Sequence, residues 1–398
     1  MAAQPRPASA GNGARNDQTR RHNLSIVLTA LHHDGAQPRS QLTARTGLNR
    51  STVAALVAEL GELGLAFESE PGQTNLVGRP SPTVQADPRV VGIAVNPEVD
   101  AVTVGLVSLT GQVVDRVRLE TESAPSVDDA VRMTADVVAS FRAAHPESRF
   151  TGIGVAVPGL VRAADGLVRL APHLGWADAP VAELLAAATG LPVQAANDAS
   201  LGAMAEKLFG AGRGMHDLIY LNGGASGIGG GIIANGAPLG GAEGYAGEFG
   251  HIRVNSSVGW YDDPESGSLE SEVSRAALLR ALGLATADGE ALEAALLASV
   301  DPEVDAIVRR QLEFLSTSLR NAVNVLNPQV IVLGGFLGAI FARDPDYLIE
   351  RVEAQSLRAS FESMRVSRAQ LGDDLLMIGA AELAFAELLA DPAGARIS

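Results

Sequence analysis

The predicted elements of residues 90–398 follow one another in the same order twice, and this repetition restricts the possible folds. Residues 90–120 predict three short strands joined as hairpins, followed by a helix over roughly 127–144 and a buried strand. A similar block starts near residue 217 with a strand, a glycine-rich turn and another strand. We therefore expect two related α/β lobes with a ligand cleft between them, because open α/β sheets bind ligands at strand ends.

The other segments of this body fill in the two lobes. The stretch "LPVQAANDASLGAMAEKLFG" predicts a strand that ends at Asn197-Asp198 and then a helix. The chain becomes mostly helical from Ser268, a late strand ends at Gly334-Gly335, and "LLMIGAAELAFAELLA" predicts a strand that leads into a helix. The glycines at 223–231 leave two alternatives open, a hairpin turn or a cradle for phosphate.

The composition excludes several classes of protein. The chain has no cysteine, which rules out disulfides and thiolate metal sites. No apolar run reaches the roughly 18 residues of a membrane helix, and "MAAQPRPASAGNGARNDQ" lacks the apolar core of a signal peptide. The 398 residues are enough for two or three domains. We expect a soluble cytoplasmic protein that does not enter a membrane.

The charge is unevenly distributed along the chain. The formal net charge is −16, yet residues 1–90 hold nine arginines against seven acidic residues, which leaves about −18 for the rest. A slightly basic head on a strongly acidic body indicates that the head alone meets a polyanion. A chance fluctuation explains the same numbers, so charge by itself does not decide.

Residues 17–88 have the pattern of a winged helix-turn-helix, preceded by an arm at 1–16 that we expect to be disordered because it is rich in Ala, Pro, Gly and Asn. A first helix with apolar positions at helical spacing ends at Gly35, and a short helix from Ser40 to Thr46 follows. Gly47 and Leu48 make the turn. The second helix of the motif carries one apolar stripe: Val53, Leu56, Val57 and Leu60.

The start of that second helix and the wing after it supply the predicted DNA contacts. Asn49 or Ser51 can cap the helix, which leaves Arg50, Ser51 and Thr52 to approach base edges and phosphates in a major groove. The following strand-turn-strand carries Gly78-Arg79-Pro80, whose arginine can enter a narrow minor groove. A small helical domain that binds a protein partner is the alternative, since helix pairs with a glycine turn are common.

The body resembles the ROK family of repressors and sugar kinases. The resemblance rests on "LNGGASGIGGGIIANGAPLGGAEGYAGEFGHIRV", "GVAVPGLV" and "AANDASLGAMAE", and it covers residues 90–390. It implies an α/β fold in which the winged helix-turn-helix precedes a two-lobed, actin-like and hexokinase-like (ribonuclease H-like) body. The implied lobes are 89–198, to which a C-terminal helix at 376–392 returns, and 199–375.

The resemblance also assigns a sugar site. It implies that the Asn197-Asp198 pair holds a sugar hydroxyl, with Asp198 the general base in the family's kinases, and that Glu248 and His251 grip further hydroxyls. The other implied contacts are Gly159, Glu270 and, more weakly, His173. The chemistry agrees, because carboxylates accept hydrogen bonds while amides and neutral imidazole both donate and accept.

Each of these residues also has a simpler explanation when it is taken alone. Asp198 would serve as the N-cap of the next helix, and His251 would lie on the surface. Glu270 would be an ordinary first-turn carboxylate that the helix dipole favours. Their occurrence together in the family's order favours the sugar site.

Two departures from the family pattern bear on the activity. Kinases of the family open the body with an Asp-x-Gly-Gly-Thr turn for the phosphates of ATP, whereas this chain has Ala94 followed by Asn96-Pro97-Glu98. Proline removes an amide donor and glutamate adds negative charge, so we expect no ATP and no enzymatic activity. Many members also hold a structural zinc with one histidine and three cysteines.

The matching zinc stretch in this chain is "YDDPESGSLE", in which Tyr261, Asp263 and Ser268 replace the cysteines. His251 and at most one carboxylate are too few ligands for a closed tetrahedral site, so we expect no zinc there and no metal or other cofactor. We expect packing of Trp260 and Tyr261 to hold the loop instead.

These observations predict a sugar-responsive transcriptional regulator, most simply a repressor. It would bind operator DNA as a homodimer or homotetramer, at the nucleoid, and a sugar or sugar derivative would be its effector. The first alternative is an active ATP-dependent sugar kinase with a DNA-binding head, which Asp198 favours and Ala94 and Pro97 oppose. The second is a regulator that has lost its sugar and responds to a protein partner.

Overall fold

The computed structural model describes residues 10–69, 82–257 and 266–398, with the side chains of 10–15 left out. The head consists of two helices of a helix-turn-helix, a long helix before them and a three-stranded sheet in the order β1-β3-β2. Its elements are α1 (Ala10–Asp34), β1 (Gln37–Pro38), α2 (Arg39–Thr46), α3 (Arg50–Glu62), β2 (Ala66–Ser69) and β3 (Thr83–Ala86).

The head folds by the local rules that its sequence indicates. Gly47 ends α2 in the left-handed conformation, with φ 69°. Of the two predicted caps, Asn49 begins α3, because its side chain accepts a hydrogen bond from the Thr52 amide at 2.9 Å. The predicted stripe on α3 is buried: Val53, Leu56, Val57 and Leu60.

Two predictions for the head differ from the structure or lie beyond it. The first helix begins at Ala10 and therefore extends into the arm that we expected to be disordered over 1–16; residues 1–9 are not described. The two wing strands are present as an antiparallel pair. The predicted DNA contacts Gly78, Arg79 and Pro80 lie between these strands, outside the described residues.

The first lobe is built on a five-stranded sheet in the order β11-β7-β4-β5-β6, beside a small sheet in the order β10-β9-β8. The central strands β4, β7 and β11 are parallel, and β4, β5 and β6 form an antiparallel meander. Its elements are β4 (Val90–Pro97), β5 (Ala101–Ser108), β6 (Val113–Glu120), α4 (Val127–Ala144), β7 (Arg149–Val157), β8 (Leu160–Val161), β9 (Val168–Ala171), β10 (Trp176–Ala179), α5 (Val181–Thr189) and β11 (Val193–Asn197).

The second lobe repeats this plan with a sheet in the order β14-β13-β12-β15-β16. In each lobe the first strand is central, the next two form a meander on one side, and the last two add in parallel on the other. Its elements are α6 (Asp198–Phe209), β12 (Leu218–Gly223), β13 (Ile228–Ala234), β14 (Ala237–Pro238), α7 (Leu269–Glu272), α8 (Arg275–Ala281), α9 (Gly289–Ala298), α10 (Pro302–Leu326), β15 (Val330–Gly334), α11 (Gly335–Arg343), α12 (Pro345–Gln355), α13 (Arg358–Phe361) and β16 (Arg365–Arg368). The last helix, α14 (Leu375–Ala390), returns to the first lobe and packs on β4 and β7.

The end of the chain corrects one sequence-based prediction. The stretch that was predicted as a strand leading into a helix is helical throughout, as α14, and the strand lies earlier, at β16. A run that is apolar on all sides reads equally as a buried strand or a buried helix, because periodicity cannot separate the two. The helix is apolar all round because it packs against β4 and β7 on one side and α6 on another.

The head is docked on the body through α14 and the edge of the first sheet. Helix α1 contacts α14, and the apolar side chains of the head and of α14 form one continuous cluster. Arg149, at the start of β7, donates hydrogen bonds from Nη1 to the carbonyls of Leu63 and Gly64, at 3.1 and 2.8 Å. These carbonyls follow the end of α3, so a body side chain binds the end of the predicted recognition helix.

Among the described residues, no helix is long and apolar enough to cross a membrane.

We expect Arg149→Gln to lower the free energy of unfolding by about 1–3 kcal/mol, because two partly buried carbonyls lose a charged donor. Chemical denaturation monitored by circular dichroism measures this loss. Arg132→Gln is the matched control, since Arg132 makes only an exposed ion pair with Asp129 on α4. Equal effects of the two substitutions would contradict the role of Arg149 at this junction.

Candidate functional site

The Asn197 side chain joins the end of the first sheet to the start of α6. Its Oδ1 accepts a hydrogen bond from the Ser200 amide at 2.9 Å, which caps the helix. Its Nδ2 donates to the Gly159 carbonyl at 3.0 Å, in the loop after β7. A Cβ at Gly159 would collide with the Leu170 carbonyl, so only glycine lets the backbone at this position lie so close to Leu170. Asn197, and not Asp198 as the simpler explanation had it, is the helix cap.

Asp198 is the first residue of α6 and is partly buried. Its Oδ1 accepts a hydrogen bond from the Ala199 amide at 2.7 Å. Burial, together with a smaller contribution from the nearby charge of Glu248, raises the pKa of this carboxyl to about 6. A carboxyl with a pKa near neutrality can accept a proton from a hydroxyl or hydrogen-bond to it.

The glycine run of β13 brings two segments onto opposite faces of one strand. A Cβ at Gly231 would lie 2.6 Å from the Ala199 carbonyl, so α6 packs directly on one face. A Cβ at Gly230 would lie 2.5 Å from the Gly247 carbonyl on the other face. These two glycines are therefore explained by close backbone approach, and they position Asp198 and Glu248 at the same strand.

Glu248, His251 and Glu270 form a cluster beside Asp198. His251 Nε2 is 3.8 Å from Glu248 Oε2, and its Nδ1 is 3.8 Å from Glu270 Oε1. The 3-10 helix that carries His251 follows Glu248 directly, whereas Glu270 comes from the first turn of α7. Three separate segments thus bring together four side chains that the sequence predicted to share one site.

Glu270 is held in place by the β12–β13 turn. Its Oε2 accepts a hydrogen bond from the Ile228 amide at 3.3 Å. A Cβ at Gly227 would lie 2.5 Å from that same oxygen, and Gly227 has φ 136°, so glycine is required there. The glycine turn at 223–231, for which a hairpin turn and a phosphate cradle were the two alternatives, positions a carboxylate in this chain.

Repulsion between neighbouring carboxylates disfavours the charged forms of Asp198 and Glu248. Burial raises the pKa of Glu248, and Glu270 raises it further, whereas His251 lowers it. The side chains of Glu248 and His251 are 41% and 56% exposed, so the site opens to solvent on this side. Such a set of acceptors around one imidazole suits a ligand with several hydroxyl donors.

The remaining predicted residues lie apart from this cluster. His173 is exposed on a short 3-10 helix, two residues beyond Ala171, which lies against Gly159. Within the described chain it shares no hydrogen bond or ion pair with the cluster. Arg50 and Ser51 are exposed at the start of α3, and the Ser51 hydroxyl donates to the Asn49 side chain at 2.7 Å. Thr52 is partly buried, and its amide is used by the cap.

Backbone hydrogen bonds close the base of the loop that matches the zinc loop of other family members. The amides of Val254 and Asn255 donate to the Gly267 carbonyl at 2.9 and 3.1 Å. Ser268, at one of the positions where the resemblance expects cysteine, caps α7 by accepting from the Ser271 amide at 3.3 Å. The predicted packing of Trp260 and Tyr261 and the position of Asp263 fall outside the described residues.

The loop after β4 is a hairpin in which the side chain of Glu98 is held by neighbouring residues. The Thr103 hydroxyl donates to Glu98 Oε1 at 2.6 Å, and the Asn96 amide group donates to the same oxygen at 3.3 Å. Arg118 pairs with the other carboxylate oxygen at 3.4 Å. Ala94 is fully buried in β4. Sequence reasoning named the substitutions here, but it missed Thr103 and Arg118 because they come from neighbouring strands.

The duplicated sheets and the carboxylate cluster define a two-lobed, hexokinase-like protein with a winged helix-turn-helix at its N-terminus. A model of the ROK family matches residues 93–387, and the chain belongs to this family. The xylose repressor of Caldicellulosiruptor bescii is 26% identical, and the match covers 93% of this chain and 97% of the repressor. A glucokinase of Halalkalibacterium halodurans is 29% identical, and the match covers 71% of this chain and 92% of the kinase.

A solved structure has the same fold over nearly the whole length. The crystal structure of a ROK family transcriptional regulator, a homologue of the E. coli MLC protein, superposes with a TM-score of 0.74 at 23% identity. The superposition covers 94% of this chain and 98% of that chain, so it includes the head as well as the body. The fold predicted from the sequence is confirmed.

We expect Asp198→Asn to make unfolding harder at neutral pH. Because the folded-state pKa is raised from 3.8 to about 6, the wild type loses stability as pH rises through this window. The variant does not lose this stability. The difference between its free energy of unfolding and that of the wild type should therefore grow by about 1–3 kcal/mol between pH 4 and 7. Denaturant titrations across that pH range measure this difference. Asp128→Asn is the control, because Asp128 is an exposed carboxylate in the first turn of α4. A pH-independent difference would contradict the raised pKa.

Proposed function

We propose that this protein is a sugar-responsive transcriptional repressor. The observation that carries the proposal is the convergence of Asp198, Glu248, His251 and Glu270 on one cleft site in a body to which a winged helix-turn-helix is docked. A site built from hydrogen-bonding groups selects a polyhydroxylated ligand, since ligands without hydroxyls would leave those groups unpaired. The similarity to a xylose repressor along the head as well as the body supports the same function.

The body acts as a sensor and not as a kinase in this proposal. At the end of β4, Pro97 offers no amide, and the next residue, Glu98, brings a fixed negative charge to the segment where the family's kinases bind phosphate. Similarity to a glucokinase speaks for the opposite function, but that match covers 71% of this chain, against 93% for the xylose repressor. We propose that the body uses neither ATP nor a structural zinc in the 251–270 loop.

Effector binding would act on DNA through the packing of α14. Asp198 begins α6, α6 contacts α14, and α14 contacts α1 of the head. A sugar that favours one lobe arrangement would shift the position of the head and so the spacing of two heads in a homodimer or homotetramer. The shift in operator affinity is limited to the ligand's differential affinity for the two arrangements.

We expect Arg50→Ala to weaken operator binding by about 1–3 kcal/mol, because Arg50 is exposed at the start of α3, where it can reach a base edge or a phosphate. Fluorescence anisotropy with DNA selected by the purified protein from a random pool measures the affinity. Arg132→Ala on the body is the control and should leave it unchanged. Unaltered affinity in Arg50→Ala would remove α3 from the DNA interface.

We expect one sugar in a panel of aldopentoses, aldohexoses and their phosphates, with D-xylose among the first, to bind by calorimetry and to lower operator affinity. Glu270→Gln should weaken the binding of that sugar at least about 10-fold, because a hydroxyl of the sugar loses a charged acceptor. Glu290→Gln is the matched control, because Glu290 is an exposed carboxylate in the first turn of α9.

The same experiment separates the rival functions. If a sugar binds but operator affinity does not change, the coupling is wrong although the site is right. ATP-dependent phosphorylation of any aldose, lost in Asp198→Asn, would establish the kinase instead. If the protein binds its operator but none of the sugars, it responds to something other than a sugar.

A further inference from the structure

A cluster of two histidines and one glutamate lies where the head meets the body, and it includes none of the predicted sugar-site residues. His32 and His33 lie in the last turn of α1, and Glu382 lies within α14. His32 Nε2 is 2.7 Å from Glu382 Oε1, and His33 Nε2 is 3.6 Å from Glu382 Oε2. One ligand-type atom from each of the three side chains lies within 4.8 Å of the others.

The tautomer of His32 is fixed by the protein. Its Nδ1 is 2.6 Å from the Leu109 carbonyl, which can only accept, so Nδ1 carries a hydrogen. Nε2 is then the nitrogen that faces Glu382, and in the neutral ring it presents a lone pair. A histidine that donates its other nitrogen to a backbone carbonyl is the usual arrangement at metal sites, because it fixes the ring and raises its basicity.

His33 supplies a second, independent observation. Its Nε2 is buried and lies 3.6 Å from Glu382 Oε2, an ion-pair distance that is too long for a good hydrogen bond. A buried nitrogen without a hydrogen-bond partner costs free energy, so a ligand that completes it would be stabilising. The His33 side chain is 25% exposed, which leaves a route for an ion from solvent.

We propose that His32 Nε2, His33 Nε2 and the Glu382 carboxylate form a binding site for a divalent transition metal ion of the zinc class. Two nitrogens and one carboxylate leave a fourth tetrahedral position for water. Ligand atoms about 2.0 Å from zinc are about 3.3 Å apart, so His32 and Glu382 must separate by roughly 0.6 Å. Without metal the same two groups form an ion pair, and the metal displaces its proton.

The position of this site gives the metal a specific effect. Two ligands come from the head and one from the body, so bound metal cross-links α1 to α14. Any ligand that binds only the docked arrangement stabilises it by mass action. The site is distinct from the proposed sugar site, and the proposal does not depend on the protein being a repressor.

The test uses full-length, tag-free protein treated with chelator and then titrated with Zn²⁺ or Co²⁺. We expect one equivalent to bind, visible absorption bands with Co²⁺, and a melting midpoint raised by about 2–5 °C at saturation. His33→Gln should abolish all three, and it should still fold because His33 makes only one long contact with Glu382, at 3.6 Å. His145→Gln removes a histidine that pairs with Asp115 at the surface, at 3.1 Å, and should change none of them.

Two results would overturn the metal site. Absence of stoichiometric binding and of any thermal shift would mean that the cluster is an ion pair only. Retention of binding in His33→Gln would place the metal elsewhere on the chain. Because none of the three readouts uses operator or sugar, failure here leaves the proposed function intact, and failure of the proposed function leaves this site intact.

Discussion

Burial of α14 is the interaction on which the rest of the structure depends. The helix lies against β4 and β7, α6 and α1 at once, and it approaches β7 so closely that a Cβ at Gly154 would collide with the Ala380 carbonyl. This contact joins the first sheet, the helix that begins at Asp198 and the DNA-binding head. Under the proposed mechanism, α14 is the element through which a movement of the lobes would reach the head, because packed interiors transmit displacement.

The site at Asp198 and Glu248 has the opposite character, because it holds unfavourable charge in place of apolar packing. Burial raises the pKa of both carboxyls, with repulsion from Glu248 adding to the shift of Asp198 and repulsion from Glu270 adding to that of Glu248. Glycines of β13 bring the backbone around these residues close together. Proteins commonly sacrifice stability at sites that must bind a ligand.

Local sequence patterns predicted most of the elements, and the failures have clear physical causes. The helix expected at 127–144 is Val127–Ala144, since its amphipathic pattern and Ser126 cap are local signals. The final apolar run was misread, because burial on all sides erases the periodicity that separates helix from strand. Residues such as Thr103 and Arg118, which bind Glu98, could not be found, since strand pairing brings them there.

The sequence by itself determined the duplicated α/β plan and the helix-turn-helix, because periodicity and caps are encoded locally. The sugar-binding role of Asp198, Glu248, His251 and Glu270, which the family resemblance implies, stays a prediction. Only the tertiary structure decided that Asn197 is the cap and Asp198 the partly buried acid, and that Glu270 is held by the turn at Gly227. It alone also brought His32 and His33 to Glu382, which lies about 350 residues later in the chain. Contacts between distant segments depend on how elements pack, and packing is not written in any short stretch of sequence.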